Sequence, residues 1–429
     1  MTSTLATIFL ALLTILNYCA GKRSVLYPPF IYSFVWFADA AIFWYAPIQV
    51  NDVHAITWWV ITIGAFLFSL GGLLSRLLPG AAFSSKVCEF SHPTVSRIGL
   101  QLLLFICLAG VPLMIMDVLQ HGGGGSLGEL LVRSRQSYVD MAEQGESWGL
   151  VVGSLPIFSI AVAILCRIED GGKLFWTASM ASGLCCILTG GRSYLLLLFL
   201  ALTVTHLLIK GRDSLVGAVK FVFIPVLLFA SLFIALIFFD KDVSNYRGSI
   251  AAILTNFVLA YIIVPIPALD YVLMHSAEYA NAPHHTFEFV LAVISRFGAP
   301  VNAPKMHDAY LFVPLPTNVY TVYKFFFTDF GLALALAAVL LIGFVQTSIY
   351  LRARAGNKVA IFLTALLVYP AALSFFDDLY SAGGLVLVSK ATLVATVYFA
   401  FLNRIYLGIH LPHLTFPAFT ARTESGGGR

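Results

Sequence analysis

The sequence predicts an all-α, polytopic membrane protein: about 11 transmembrane helices, a re-entrant or paired segment and a long external loop. Three observations predict it. Hydrophobic residues make up 59% of the 429 residues and charged residues only 11%, where a soluble globular protein carries about 25% charged residues. Mean hydropathy is +0.90. Apolar runs long enough to cross a bilayer recur from end to end. This composition excludes a soluble enzyme, a disordered chain, a collagen-like fibre and a disulfide-rich secreted module. It also excludes an outer-membrane barrel, whose strands alternate around a polar lumen. The net charge of +4 points to basic cytoplasmic loops and not to nucleic acid. Cys19, Cys88, Cys107, Cys166, Cys185 and Cys186 form no CxxC pair and read as small apolar residues.

Taken in order, the first span is 5–20. No basic residue precedes it and Lys22 and Arg23 follow it, an order that suits a first helix with its N-terminus outside and does not suit a cleavable signal. Spans 25–48 and 56–78 follow, the latter ending at Arg76, and Lys86 and Arg97 precede span 98–119. Spans 150–166 and 174–189 enclose Arg167 and Lys173. Spans 194–209 and 220–239 enclose Lys210, Arg212 and Lys220. Arg352, Arg354 and Lys358 lie between 325–350 and 359–376, and span 383–402 precedes Arg404, Arg422 and Arg429. These connections place 16 of the 25 basic residues on one side. The asymmetry predicts an N-out, C-in arrangement.

The connection at 240–250 and the segment before Lys324 both fall outside, so 251–324 crosses an even number of times. The apolar stretch 251–274 contains Pro265, Pro267 and Asp270. It reads as a re-entrant pair of half-helices lining a cavity; the alternative is a span at 251–274 with a return at 287–301. The external pieces are then 120–149, 240–250 and 275–324, all within a single membrane domain over 1–422. The tail 423–429 reads as a remnant outside it. In the first external piece, four glycines at 122–125 precede a short amphipathic helix carrying Arg133 and Arg135.

Basic residues that stay outside against the positive-inside tendency are the informative set: Arg133, Arg135, Arg192, Lys241, Arg247, Arg296, Lys305, Lys324 and Lys390. Arg192 follows Gly190 and Gly191 in a tight turn, and Arg247 sits in a similar polar turn. Each reads either as an anchor to lipid headgroups or as an anion ligand. Guanidinium forks bind phosphate oxygens bidentately and keep their proton, so converging external arginines suit a lipid pyrophosphate. Candidate bases are His284 and His285, with Glu288 close by, and Asp378 of the Asp377-Asp378 turn, which reads equally well as a turn cap. Zinc-ligand spacing, HExxH, GxSxG and Walker motifs are absent from the sequence, so neither metal nor ATP is expected. Asp39 and Lys390 lie deep in their spans and are one possible pair, with a structural role as the plain reading; the sequence does not choose their partners.

The stretch Thr317-Asn-Val-Tyr-Thr-Val-Tyr-Lys-Phe-Phe-Phe-Thr-Asp-Phe-Gly331 resembles the Thr-Asn-x-Tyr-Thr … Asp-Phe-Gly signature of Wzy-type O-antigen polymerases, which join oligosaccharide repeat units. The Leu26–Phe30 entry to the second span, the Gly-Gly-Arg-Ser turn at 190–193, the Tyr-Arg-Gly turn at 246–248 and the Tyr261–Tyr271 segment are similar in style. The resemblance implies a GT-C-like fold in the bacterial inner membrane, active at the periplasmic face. It implies a growing chain on undecaprenyl pyrophosphate as donor, an incoming lipid-linked oligosaccharide as acceptor, no cofactor, and a chain-length regulator as partner. It assigns pyrophosphate binding to Arg192 and Arg247, then Arg133 and Arg135, and substrate binding to Asn318, Tyr320, Lys324 and Arg296. The base stays open among His284, His285 and Asp378. The alternatives are an O-antigen ligase and a transporter of lipid-linked oligosaccharides; the latter would carry internal repeats, and no convincing repeat is seen.

Overall fold

The computed structural model describes residues 1–45, 51–77, 97–143, 150–169, 171–189, 192–217, 219, 261–276, 285–288, 290–291, 294, 311–313 and 316–402. The predicted span 220–239, the tail 423–429 and the residues His284, Arg247 and Arg296 lie outside these. The helices are α1 (Ser3–Ala20), α2 (Pro28–Tyr45), α3 (Ala55–Leu74, with a 3-10 turn to Leu77), α4 (Arg97–Gly122), α5 (Leu127–Glu143), α6 (Leu150–Glu169), α7 (Lys173–Leu188) and α8 (Arg192–Lys210). Later in the chain come α9 (Pro265–Met274), α10 (Tyr323–Arg354), α11 (Lys358–Ala372) and α12 (Ala382–Ala400). Two short strands, β1 (Leu311–Phe312) and β2 (Pro316–Thr317), pair antiparallel.

Among the described residues, six helices are long and apolar enough to cross a membrane. The architecture is that of a polytopic helical membrane protein. Local chemistry sets the ends. The Thr2 side chain accepts from the Leu5 amide at the start of α1, and Asn357 does the same for Ala360 at the start of α11. Pro28 and Pro29 open α2, where the missing N–H costs nothing. Pro265 and Pro267 likewise lie in the first turn of α9, after Val264, whose dihedrals are already helical.

Connections predicted to lie inside share one end of the bundle. Arg76 donates to the Ala20 carbonyl at 2.7 Å, the Val25 amide to the Asp213 carbonyl at 2.8 Å and Lys358 to Glu169 at 2.6 Å. Asp213 also pairs with Arg354 and accepts from the Ser24 hydroxyl at 2.5 Å. At the opposite end, which we call the outer end after the charge asymmetry, Asp270 of α9 meets the start of α3, and Tyr261 stacks on Phe376 at 5.7 Å. Residues 261 and 270 thus contact the same end.

Two cores fill the bundle. One joins α4, α6, α7, α8, α11 and α12 with the last turns of α10. The other joins α1, α2, α3, α9 and the first half of α10, with Tyr32 stacked on Phe68 at 4.1 Å. The pairing of Asp39 with Lys390 that the sequence allowed does not form. Lys390 donates to the Gly153 carbonyl on α6 at 2.9 Å, and among the described residues neither carboxyl oxygen of Asp39 has a hydrogen-bond partner. The two residues belong to different cores, one beside Ala40 and the other beside Ala391.

Candidate functional site

The outer end is organised by a break in α10. Gly331 has φ 76° and ψ 172°, a left-handed conformation that a side chain disfavours. Tyr323 lies against Gly64 of α3, whereas Leu340 and Phe344 lie against Gly71. At a rise of about 1.5 Å per residue, about 10 Å of α3 faces about 25 Å of α10. The piece 323–330 therefore does not extend the axis of the piece 332–354.

The stretch leading into that piece is sequestered. Thr317, Tyr320, Thr321 and Tyr323 are buried. Tyr32 donates to the Tyr323 hydroxyl at 3.1 Å, and Tyr323 donates to the Ile61 carbonyl at 3.4 Å. The Val322 amide donates to the Ser374 carbonyl at 2.9 Å, which ties this stretch to the end of α11. The sequence placed Lys324 on an external polar turn, but its exposure is only 3%. Its ammonium lies 3.6 Å from the centre of the Tyr320 ring and 4.9 Å from that of Phe325, where the aromatic faces attract the cation. Asn318 is half-buried in the same stretch.

Asp329 ties the long loop to this piece. Its carboxylate accepts from the His285 amide at 3.3 Å and the Thr286 amide at 2.7 Å. The His285 ring is half-buried and stacks on Phe325 at 4.7 Å. Asp378 approaches from the connection between α11 and α12. It was expected on an external turn, yet it is buried. It accepts from the Tyr380 amide at 3.0 Å, the Ser381 amide at 3.2 Å and the Ser381 hydroxyl, the cap-like arrangement the sequence offered as its second reading. Burial pushes its carboxyl up to about 6; the hydrogen bonds from Ser381 and Tyr380 oppose that shift, and nearby Asp329 adds to it. Tyr380 donates to Gln346 at 2.7 Å.

The structure thus gathers Tyr320, Lys324, His285 and Asp378 around one broken helix. Arg133 and Arg135 sit elsewhere, on α5, whose main packing partner is α4. Arg133 is exposed and donates to the Gly124 carbonyl at 3.0 Å, and Arg135 is half-buried. Tyr138 pins α5 to Asp117 of α4. Arg192 is the first residue of α8, and its side chain lies outside the described residues. Among the described residues, no cluster of three or more His, Cys, Asp or Glu is placed to hold a metal.

Sequence reasoning missed one constellation. Asp270 of α9 receives the His54 ring through Nδ1 at 2.9 Å, the His54 amide at 2.8 Å and the Thr57 hydroxyl at 2.5 Å. It caps α3 from another helix, where a negative charge also suits the helix dipole. The available signal was an acid inside an apolar run; nothing local pointed to a partner 216 residues away.

In comparison with known proteins, no family model, curated protein or solved structure matched this chain.

Proposed function

We propose that this chain is a membrane glycosyltransferase. It polymerises undecaprenyl-pyrophosphate-linked oligosaccharide repeat units into a surface polysaccharide, in the manner of Wzy-type polymerases, at the periplasmic face of a bacterial inner membrane. One observation carries the reading. The stretch that resembles the family signature, 317–331, is also the hub of the outer end: it joins α3, α11 and the long loop through Tyr323, Val322 and Asp329.

In this reading a sugar hydroxyl of the incoming unit attacks the anomeric carbon of the donor chain. Undecaprenyl pyrophosphate departs, and its developing charge needs fixed cations. Arg192 and Arg247 serve the pyrophosphate, with Arg133 and Arg135 as a second pair; Asn318 and Arg296 contact the oligosaccharides, and Tyr320 and Lys324, buried against each other, hold the shape of the stretch. The energy resides in the glycosyl pyrophosphate, so a nucleotide is not required.

The test is an assay of lipid-linked repeat units in membranes that contain the protein. A ladder of chain lengths is the expected outcome. Transfer of a single unit to lipid A core would make it a ligase, and movement of units across the membrane without bond formation would make it a transporter. In the same assay Arg192→Lys keeps the charge and loses the fork. The loss of a charge-assisted hydrogen bond is worth roughly 1.5–3 kcal/mol, so the variant should run at least about tenfold slower. Full activity would reduce Arg192 to a headgroup anchor.

A further inference from the structure

His54 and Asp270 form a carboxylate–imidazole pair with unequal exposure: the His54 side chain is 63% exposed and that of Asp270 only 8%. Asp270 Oδ1 is engaged by the His54 amide and the Thr57 hydroxyl, which leaves Oδ2 for the ring. A carboxylate only accepts, so Nδ1 carries the ring proton and the neutral imidazole presents a lone pair on Nε2. No described residue engages Nε2. The buried acid fixes both tautomer and orientation, and leaves Nε2 as the exposed acceptor of the ring.

The pair lies one helix away from the hub. Val264, Ala268 and Val272, at the start of α9 and along it, pack against Tyr320, whose ring holds the Lys324 ammonium. Asp270 projects from the same helix toward α3.

We infer that His54 is the general base of the polymerisation, with Asp270 as its positioning residue; this rests on the polymerase reading above. The acceptor sugar hydroxyl gives its proton to His54 Nε2 as its oxygen bonds to the anomeric carbon. The bond from that carbon to the pyrophosphate oxygen breaks, and the electron pair leaves with the lipid pyrophosphate. The imidazolium faces the Asp270 carboxylate, then returns its proton to water.

The test uses the full chain in membranes with lipid-linked repeat units. His54→Asn replaces the Nδ1 donor with an amide N–H toward Asp270 and places a residue favoured at the N-cap before α3, but has nothing at the Nε2 position. Expected are normal insertion, a KM within about twofold, and a kcat lower by at least about 100-fold, as for loss of a general base. Added imidazole should partly restore the rate. Asp270→Asn should lower kcat with KM unchanged, whereas a purely structural tie would alter protein level and thermal stability and leave kcat per folded molecule intact. A His54→Asn enzyme with kcat within about threefold of wild type overturns the assignment while the wild-type ladder still stands. Absence of any ladder from wild type removes the polymerase reading and His54 with it.

Discussion

Asp378 is a carboxyl buried where its charge is poorly solvated, and its pKa of about 6 lies above the ordinary 3.8. Between those values the folded chain binds more protons than the unfolded one. Stability therefore falls as pH rises through that window and is level above it, by an amount on the order of 3 kcal/mol. The Tm difference between wild type and Asp378→Asn in detergent should move in favour of the Asn variant from about pH 4 to about pH 7; a constant difference would refute the burial effect. At this scale the sequence was partly legible. Asp378 could be read as a base or a cap, and Lys324 stood out as a cation in a polar stretch. Neither residue's burial was readable, because it depends on other elements closing on their stretches: Val322 is tied to Ser374 after α11, Val264 and Ala268 pack against Tyr320, and Asp378 lies near Asp329. The Asp270 and His54 pair was invisible for the same reason: hydrophobic periodicity reports a residue's own helix and not the end of another.

At the scale of elements, spans read from apolar runs match the described helices to within a few residues, since both follow from the length a bilayer demands. The sequence could not show how α3 and α10 meet. A Cβ at Gly343 would collide with the Phe68 carbonyl, and one at Gly71 with the Leu340 carbonyl. Gly331 has open space but a positive φ, and Gly183 of α7 has open space with no such φ. Four alanine substitutions should therefore rank by cause. Gly183→Ala gains up to about 1 kcal/mol from helix propensity. Gly331→Ala loses about 1–2 kcal/mol to backbone strain. Gly343→Ala and Gly71→Ala lose about 1–3 kcal/mol each to overpacking. Thermal unfolding in detergent reads the order, and a Gly343→Ala variant as stable as Gly183→Ala would refute the close approach.

For the whole molecule, polarity is the first quantity to measure. Arg133 and Lys173 are both exposed, on α5 and at the start of α7. With Cys19 and Cys88 replaced by serine, Arg133→Cys should react with a membrane-impermeant thiol reagent in intact spheroplasts, and Lys173→Cys only after permeabilisation. The reverse pattern would invert the topology and move the hub to the cytoplasm. The glycine contacts between α3 and α10 bear on how the lipid-linked substrates of the proposed reaction would arrive. Gly71 meets the α10 backbone and Gly343 the α3 backbone, while α10 enters one core with Val339 and the other with Tyr350. Such a helix acts as a keel that joins the two cores along its length. On the proposed polymerase reading, long lipid tails slide in sideways from the bilayer, and the growing polymer leaves at the outer end without the two cores parting.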